Sequence, residues 1–402
     1  MIRDAPPRLL SLRPDHPDFL DLPWGIPIAE WAGSCARIEQ LPRGASRHPV
    51  VFVSYDAGLY ALKELPPDIA EREYDLLRRL EDLRLPAVRA VGHALTSTLA
   101  GDASVLVTRY LDHALPYSEV LALSSATRHD SLLDALAGLL VQLHLSGVYW
   151  GDCSLANSLF RRDAGALQAY LVDAETAEVR PHQSPGMRSY DLDIMEENLA
   201  GGLTDLAAAG RLARDFPVLQ MGARVRERYL RLWDEVTQVV VLEPRERYRI
   251  EERIRALNRL GFSVGEVTLE PTERGNQLRM QVLVTDRTFH RDQLAGLTGL
   301  SAEETQAQRM MNEIQELRAD MADQRIRTVP LAVAAYQWFT HFYQPMVDRL
   351  APLIRDDRPP QEVYCQLLEH KWYLSERAGR DVGHDTASLD LLARADRSAA
   401  GT

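Results

Sequence analysis

Polar residues follow a predicted helix and a predicted strand at a spacing that suits phosphoryl transfer. The helix ends at Gly147, the loop after it carries Asp152 and Asn157, and a later apolar strand ends at Asp173. Transfer of a phosphoryl group from ATP needs a carboxylate that orients the attacking hydroxyl and oxygen ligands that hold Mg²⁺ on the phosphates. Carboxylate and amide oxygens suit such a hard cation, so neither sulfur nor imidazole is required. Each residue alone is also compatible with a turn in which the side chain bonds its own backbone.

A lysine and a glutamate upstream have the pattern of a buried ion pair. Lys63 lies in a predicted strand over residues 59–65, and Glu73 lies in a predicted helix that begins near Asp68. The apolar residues that share the helix face of Glu73 are Ile69, Leu76 and Leu80. A carboxylate on a buried face needs a cation, and Lys63 is the expected partner. The alternatives are a solvent-exposed Lys63 and a Glu73 that pairs with an arginine four or five residues further on.

Two motifs resemble those of the protein-kinase-like superfamily. The pattern LH-x-x-G-x-x-x-x-D-x-x-x-x-N-x-x-F over residues 143–160 is similar to its catalytic loop, and Leu-Val-Asp-Ala-Glu over residues 171–175 is similar to its metal-binding Asp-Phe-Gly. The order of functional residues is matched by Lys63, Glu73, Asp152, Asn157 and Asp173. The short gap between the motifs and the glycine before Asp152 are closer to the small-molecule and lipopolysaccharide-kinase branch than to Ser/Thr protein kinases. The chain also resembles an actinobacterial family in which a domain of unknown function is joined to a kinase-like core, here roughly residues 35–235.

The resemblance implies a phosphotransferase that depends on ATP and Mg²⁺. Asp152 is then the residue that accepts or orients the proton of the acceptor hydroxyl. Asn157 and Asp173 are the implied Mg²⁺ ligands. Lys63, held by Glu73, is the implied phosphate-binding cation. The implied acceptor is a small polar metabolite, a sugar or a lipid-linked group rather than a protein.

The remaining contacts to the nucleotide are expected at two places. The resemblance implies that adenine is held by the backbone of Arg109, Tyr110 and Leu111. Between the first two strands, backbone amides near Gly44 are expected to cradle phosphate, with Arg43 or Arg47 supplying charge. Solvated loop arginines are the alternative for that segment.

Several positions depart from the pattern of the superfamily. No Gly-x-Gly-x-x-Gly separates the first two strands, and Trp150 stands where a histidine is usual. Ala174 and Glu175 replace Phe-Gly, and Ser154 stands where Ser/Thr kinases carry lysine. These departures favour an alternative in which the chain is a catalytically inactive nucleotide-binding regulatory or scaffold protein. His144, in the helix before the loop, is expected to be a structural histidine.

Composition excludes other classes of protein. The chain has 402 residues with 46 Lys+Arg and 58 Asp+Glu, a formal net charge of −12, which makes a nucleic acid an unlikely partner. A weaker reading, in which a small β-α-β-β module binds nucleic acid, has this charge against it. The three cysteines form no paired motif, which fits a reducing cytoplasm. No run of about 18 apolar residues is present, so no membrane span is expected, and the N-terminus lacks the apolar core of a signal peptide.

The predicted fold is α+β and two-lobed. It has a five-stranded antiparallel N-lobe and a mostly helical C-lobe, followed by a small α+β module and a helical extension. The predicted segments are an irregular arm (1–34), the N-lobe (35–112), the C-lobe (113–235), the α+β module (236–325) and a helical region with a frayed tail (326–402). Aromatic residues of the last region, including Trp338, Tyr343, Trp372 and Tyr373, are expected in the core. Its histidines are too scattered for a metal site, and a protein partner bound through residues 236–402 is a prediction from position alone.

Overall fold

The computed structural model describes most of the chain and divides it into two compact units. The described residues are 6–41, 47–98, 101–122, 126–180, 183–242, 246, 248–271, 278–325 and 329–400. Unit 1 consists of Met1–Phe160 and Ala169–Leu230, and unit 2 consists of Arg161–Gln168 and Arg231–Thr402. Across these described ranges, no helix combines the length and the apolar character needed to cross a membrane.

In the first half of the chain, a set of strands comes first and a mostly helical region follows. The strands of its sheet and the first helix are β1 (Leu9–Leu12), β2 (Ile38–Glu39), β3 (Val50–Tyr55), β4 (Gly58–Leu65), α1 (Ile69–Asp82), β5 (Ala90–Thr98) and β6 (Gly101–Arg109). There follow β7 (Ala114–Pro116), α2 (Tyr117–Ala122), α3 (Ala126–Leu145), β8 (Val148–Tyr149), β9 (Ser158–Asp163), β10 (Ala166–Leu171), β11 (Glu178–Val179), α4 (Pro185–Ala208) and α5 (Val218–Thr237). An antiparallel sheet followed by a mostly helical region is the α+β order that the sequence predicts.

The sheet of unit 1 has six strands where the sequence predicts five. Its order is β1-β5-β6-β4-β3-β2, and every pairing is antiparallel. The additional strand, β1, comes from the segment predicted to be an irregular arm, and it pairs with β5 along its whole length. Its sequence, Leu-Leu-Ser-Leu, has too little alternation to predict a strand. The same segment supplies the core residues Phe19, Trp24 and Trp31, which are fully buried, so its apolar side chains hold it against the sheet.

Strand β4 places Lys63 on the face of the sheet opposite Leu62. Successive side chains of a strand point to opposite faces. Tyr60 and Leu62 are buried in one core cluster, whereas Lys63 is only partly buried. Helix α1 buries Leu77 and Leu80 together with Glu73, as its amphipathic pattern predicts.

The helical part of unit 1 is built around α3. This helix is buried on most sides, with Leu136, Leu139, Leu140 and Leu143 among its fully buried residues. Short strands flank the loop that carries Asp152: β8 pairs with β11, and β9 lies between β7 and β10. The loop is therefore fixed by a helix before it and by strands on both sides.

Unit 2 contains a small sheet and a set of helices. The elements are β12 (Val240–Leu242), α6 (Tyr248–Arg259), β13 (Val264–Pro271), β14 (Leu278–Val284), α7 (Phe289–Thr298), α8 (Glu304–Arg325), α9 (Leu331–Trp338), α10 (Gln344–Arg349), α11 (Pro360–Ala378) and α12 (Gly383–Ala400). The sheet order is β12-β14-β13, with both pairings antiparallel. Trp338 and Tyr343 lie in the core, as expected. Trp372 and Tyr373 are 64% and 45% exposed, so the expectation of a second buried aromatic stripe is wrong.

Candidate functional site

Lys63 lies between two carboxylates in unit 1. Its Nζ is 3.2 Å from Glu73 Oε2 and 2.8 Å from Asp173 Oδ2. The other oxygen of Glu73, Oε1, accepts a hydrogen bond from the Ala174 N–H at 3.1 Å. The ion pair expected between Lys63 and Glu73 is therefore present, and it also joins helix α1 to the residues after β10.

Burial and mutual charge set the protonation of this group. The Glu73 side chain is fully buried, and this burial raises its pKa to about 7, with the nearby charge of Asp173 adding to the rise and Lys63 opposing it. Burial disfavours the charge of Lys63, but Glu73 and Asp173 outweigh that effect and raise the pKa of the lysine. Lys63 thus stays positively charged at neutral pH, where a phosphate-binding cation is needed.

The Asn157 amide holds the loop that carries Asp152. Its Nδ2 donates to the Asp152 carbonyl and to Asp152 Oδ2, both at 3.1 Å. Both partners are acceptors, so the amide nitrogen must be the atom on that side. This orientation leaves Asn157 Oδ1, the atom that a magnesium ion would use, outside those two bonds.

Backbone bonds tie the Asp152 loop to the segment that carries Asp173. The Val172 N–H donates to the Asn157 carbonyl at 3.1 Å, and the Thr176 hydroxyl donates to the Trp150 carbonyl at 2.9 Å. The five polar residues expected to act together therefore lie in one region of unit 1.

Arg47 and His48, which precede β3, contact the Asp152 loop and the segment after Asp173, respectively. Arg47 Nη2 is 3.0 Å from Asp152 Oδ2, and His48 Nε2 is 3.5 Å from Glu175 Oε2. Glu175 Oε2 is in turn 4.0 Å from Lys63 Nζ. The sequence draws attention to Arg47 as a source of charge but not to His48, and it treats Glu175 only as a departure from the superfamily motif.

Helix α4 holds the loop that carries Asp152 through Asp191, a residue that the sequence analysis does not identify. Asp191 Oδ2 accepts from the Trp150 N–H at 2.8 Å, and Oδ1 accepts from the Gly151 N–H at 2.9 Å. A second residue of α4, Asn198, donates from Nδ2 to Asp152 Oδ1 at 2.9 Å. Asp191 and Asn198 are seven residues apart, about two helical turns, so they lie on one face of α4. This spacing is the one signal in the sequence that could have indicated their shared role.

His144 has the structural role that the sequence predicts. It is buried, its Nδ1 lies 2.8 Å from the Tyr229 hydroxyl, and its Nε2 lies 3.0 Å from Asp191 Oδ2. The Asp191 carboxylate can only accept, so Nε2 carries the ring proton and donates it to Asp191. Nδ1 then accepts a hydrogen bond from the Tyr229 hydroxyl. Burial lowers the pKa of His144 despite the nearby Asp191, so the ring is neutral.

Gly151 is needed for the shape of the loop. Its φ is +77°, in the left-handed region that favours glycine. A Cβ at this position would lie 3.0 Å from the Tyr149 ring and 3.1 Å from the Thr176 carbonyl oxygen. A larger residue would push apart the segments that carry Asp152 and Asp173.

The expected nucleotide contacts are only partly described. Gly44 and Arg43 lie outside the described residues. The Arg109 N–H donates to the Arg89 carbonyl and the Tyr110 N–H donates to the Leu59 carbonyl. These two N–H groups bond within the fold, so neither is available as a donor to adenine.

The donor atoms fit a magnesium ion that is shared with a nucleotide. The described residues include no group of three or more His, Cys, Asp or Glu that could hold a metal ion by itself. Asn157 and Asp173 offer one amide oxygen and one carboxylate. Mg²⁺ in phosphotransfer sites is bound by one or two such groups and by substrate phosphates, so this donor set is sufficient only together with the nucleotide.

Comparison with known proteins confirms the resemblance. Residues 57–212 match the family model described as "Lipopolysaccharide kinase (Kdo/WaaP) family", and this segment contains all five expected residues. Residues 231–395 match the model described as "Domain of unknown function (DUF4032)". A solved structure described as "WaaP in complex with acyl carrier protein" is 19% identical, covers 56% of this chain and 86% of that chain, and has a TM-score of 0.34. No curated protein matches the chain.

Proposed function

We propose that unit 1 transfers the γ-phosphoryl group of ATP to a hydroxyl of a small molecule, a sugar or a lipid-linked group. The observation that carries the proposal is the Lys63–Glu73–Asp173 cluster beside the Asp152–Asn157 loop. The lipopolysaccharide-kinase family model matches the segment that holds these residues. The match favours a sugar or lipid-linked acceptor.

Lys63 neutralises phosphate oxygens in this proposal. Glu73 holds Lys63 from the side of helix α1 and is itself fixed by the Ala174 N–H. An ammonium group at a fixed place stabilises charge on the transferred group without reorganisation during the reaction. Adenine is expected at the backbone of Arg109, Tyr110 and Leu111.

Asn157 and Asp173 are the residues that would hold Mg²⁺. When bound, the ion neutralises phosphate charge and aligns the β- and γ-phosphates. Asp173 Oδ1 accepts from the Glu175 N–H at 3.2 Å, which fixes the orientation of the carboxylate. Lys63 is then free to shift part of its contact from Asp173 to the phosphates.

Asp152 accepts the proton of the acceptor hydroxyl. As the hydroxyl oxygen forms its bond to the γ-phosphorus, the bond from that phosphorus to the bridging oxygen breaks and ADP leaves with the bond's electron pair. The O–H proton passes to the Asp152 carboxylate. A general base positioned in this way contributes about 10²–10⁴ in rate.

Turnover of the full-length protein tests the proposal. ADP release and phosphorylated product are measured with ATP and Mg²⁺ over a panel of sugars, polyols and lipid-linked sugars. We expect product with at least one acceptor and loss of turnover when EDTA removes the metal. Nucleotide binding without any turnover would instead support the inactive scaffold, and absence of both would contradict a nucleotide site in unit 1.

A further inference from the structure

One face of helix α4 contacts the Asp152 loop at two positions, Asp191 and Asn198. Asp191 accepts the backbone N–H groups of Trp150 and Gly151, as described above. Two turns along, Asn198 Nδ2 donates to the Cys153 carbonyl at 3.2 Å and to Asp152 Oδ1 at 2.9 Å. The helix therefore fixes the backbone on both sides of Asp152 and also holds its side chain.

Asn198 is well placed to hold a carboxylate still. Both of its partners are acceptors, so the amide nitrogen must face the loop and its two hydrogens serve the two bonds. Its helical neighbours Met195 and Leu199 are buried in the core. Arg226 of α5 pairs with Asp193 and Glu196 on the same helix, which further fixes α4.

The contacts of Asp152 leave one acceptor position on its carboxylate. A carboxylate has about four lone-pair positions, two on each oxygen. Oδ2 accepts from Asn157 at 3.1 Å and from Arg47 at 3.0 Å, and Oδ1 accepts from Asn198 at 2.9 Å. Among contacts made by the described residues, the second position on Oδ1 is the one left for a substrate hydroxyl.

The bond from Asn198 therefore selects the orientation in which Asp152 works. Rotation of a carboxylate about its last side-chain bond is broad and nearly two-fold, so contacts must choose an orientation. Asn157 and Arg47 hold one oxygen, and Asn198 holds the other from the side of α4. With both oxygens held, the open position of Oδ1 has a fixed direction.

We propose that Asn198 is a positioning residue for phosphoryl transfer, which directs the open acceptor position of Asp152 Oδ1 toward the acceptor hydroxyl. This inference rests on the proposed function, because it gives Asp152 the role of proton acceptor. It adds a residue that the superfamily motifs in this sequence do not contain.

The test compares Asn198→Ala with a matched control on the same helix. Glu197→Ala removes the adjacent exposed side chain of α4 and is expected to behave as wild type. Asn198→Ala is expected to lower kcat by roughly 10- to 100-fold, since a misplaced catalytic group costs on the order of 10² in rate. The dissociation constant of ATP with Mg²⁺ is expected to stay within about twofold of wild type, because Asn198 contacts Asp152 and not the Lys63 cluster.

A double-substitution cycle separates positioning from a structural role. If Asn198 acts through Asp152, Asn198→Ala has no further effect on the residual rate when Asp152→Ala is already present. If Asn198 merely stabilises the fold, its substitution lowers the rate equally in both backgrounds, and the proposal is overturned.

These results distinguish the two proposals. Wild-type turnover with an unaffected Asn198→Ala overturns the positioning role alone. If the wild-type protein shows neither phosphoryl transfer nor slow ATP hydrolysis, the proposed function is overturned, and the role of Asn198 with it.

Discussion

Lys63 shares its charge between two carboxylates, those of Glu73 and Asp173. One cation cannot fully compensate two nearby anions, and Glu73 is the more deeply buried of the two. Burial raises the pKa of Glu73 to about 7, so this carboxyl is partly protonated at neutral pH. A bound Mg²⁺ near Asp173 would reduce this competition and favour the ionised form of Glu73.

Glu73 is expected to make the stability of the ligand-free protein depend on pH. Burial raises its pKa from 4.5 to about 7 on folding. Between about pH 4.5 and 7, the folded protein keeps a proton that the unfolded chain releases, so the free energy of unfolding decreases as pH rises through this window. The full effect is about 3 kcal/mol. Melting temperatures recorded from pH 4.5 to 8 should fall less steeply for Glu73→Gln than for wild type.

The matched control for this prediction is Glu71→Gln. Glu71 lies on the exposed side of the same helix, so its substitution should leave the wild-type pH dependence in place. Equal slopes for Glu73→Gln and wild type would show that Glu73 is ionised throughout the range.

Asp173→Ala is expected to abolish Mg²⁺-dependent binding of ATP, since it removes the carboxylate ligand. The melting temperature should change little, because Lys63 retains its bond to Glu73. Calorimetric titration of ATP with and without Mg²⁺ measures the first effect, and thermal unfolding measures the second. Asp75→Ala, at an exposed position of α1, is the control. An Asp173→Ala protein that fails to fold would instead make Asp173 a structural residue.

Residue types and spacing were sufficient to single out five residues that the structure brings into one region, but not the residues that support them. Lys63, Asp152 and Asp173 stand in motifs whose order is visible along the chain. Asp191 and Asn198 stand in a helix whose sequence shows no comparable motif, and their roles depend on which face of α4 meets the loop. Such a contact depends on tertiary packing, which a local pattern does not record.

At the scale of elements, the start of α8 illustrates a cap that comes from a distant part of the chain. The segment Ser301-Ala302-Glu303-Glu304 has the sequence of a capping box, which would make Ser301 the cap and Glu304 its partner, but the helix begins at Glu304. Asp163 instead accepts the N–H groups of Thr305 and Gln306 at 3.1 and 2.8 Å. Because this residue lies 142 positions from Thr305, no local signal could reveal it.

Asp163→Ala should destabilise unit 2 by roughly 1–3 kcal/mol, since it leaves two N–H groups at the helix start, one buried and one partly buried, without their acceptor. Asp163→Asn keeps an acceptor oxygen and should cost less. Burial raises the pKa of Asp163 to about 6, with Glu303 adding to the rise, so the neutral amide also avoids a buried charge. Urea unfolding followed by circular dichroism checks the order of the two variants. An alanine variant as stable as wild type would contradict the capping role.

Strand β1 shows the same limit in the sheet. Its four residues carry no clear alternation, and its place at the edge is decided by pairing with β5. The strands that position the site, β4 and β6, have longer apolar runs and were predictable. The predictable elements are therefore those with enough residues to display a period.

At the scale of the molecule, the chain joins two units of different character. The five expected site residues belong to unit 1. In unit 2, one group of buried polar side chains is paired around Glu313. This carboxylate accepts from Trp338 Nε1 at 2.6 Å and from the Tyr364 hydroxyl at 2.7 Å, and its Oε1 lies 2.6 Å from His384 Nε2. These contacts lower the pKa of Glu313 despite its burial, which suits a structural carboxylate.

Composition argued against some classes of partner but gave no information on the role of the second unit. The net charge of −12 already counted against a nucleic-acid partner. His370 and His384 are among the histidines that look scattered in the sequence. In the structure, His370 pairs with Asp390 and His384 pairs with Glu313. A scattered histidine and a paired histidine look alike in sequence, so this distinction required the fold. A partner for residues 236–402 and a cytoplasmic location remain predictions.

Single-turnover transfer of the γ-phosphoryl group tests the central claim most directly. Wild type and Asp152→Ala are loaded with ATP labelled at the γ-phosphorus and Mg²⁺, and labelled product is followed in time with an acceptor found in the panel. The account predicts equal nucleotide binding by both proteins and a transfer rate lower by about 10²–10⁴ for Asp152→Ala. Equal transfer rates would contradict it.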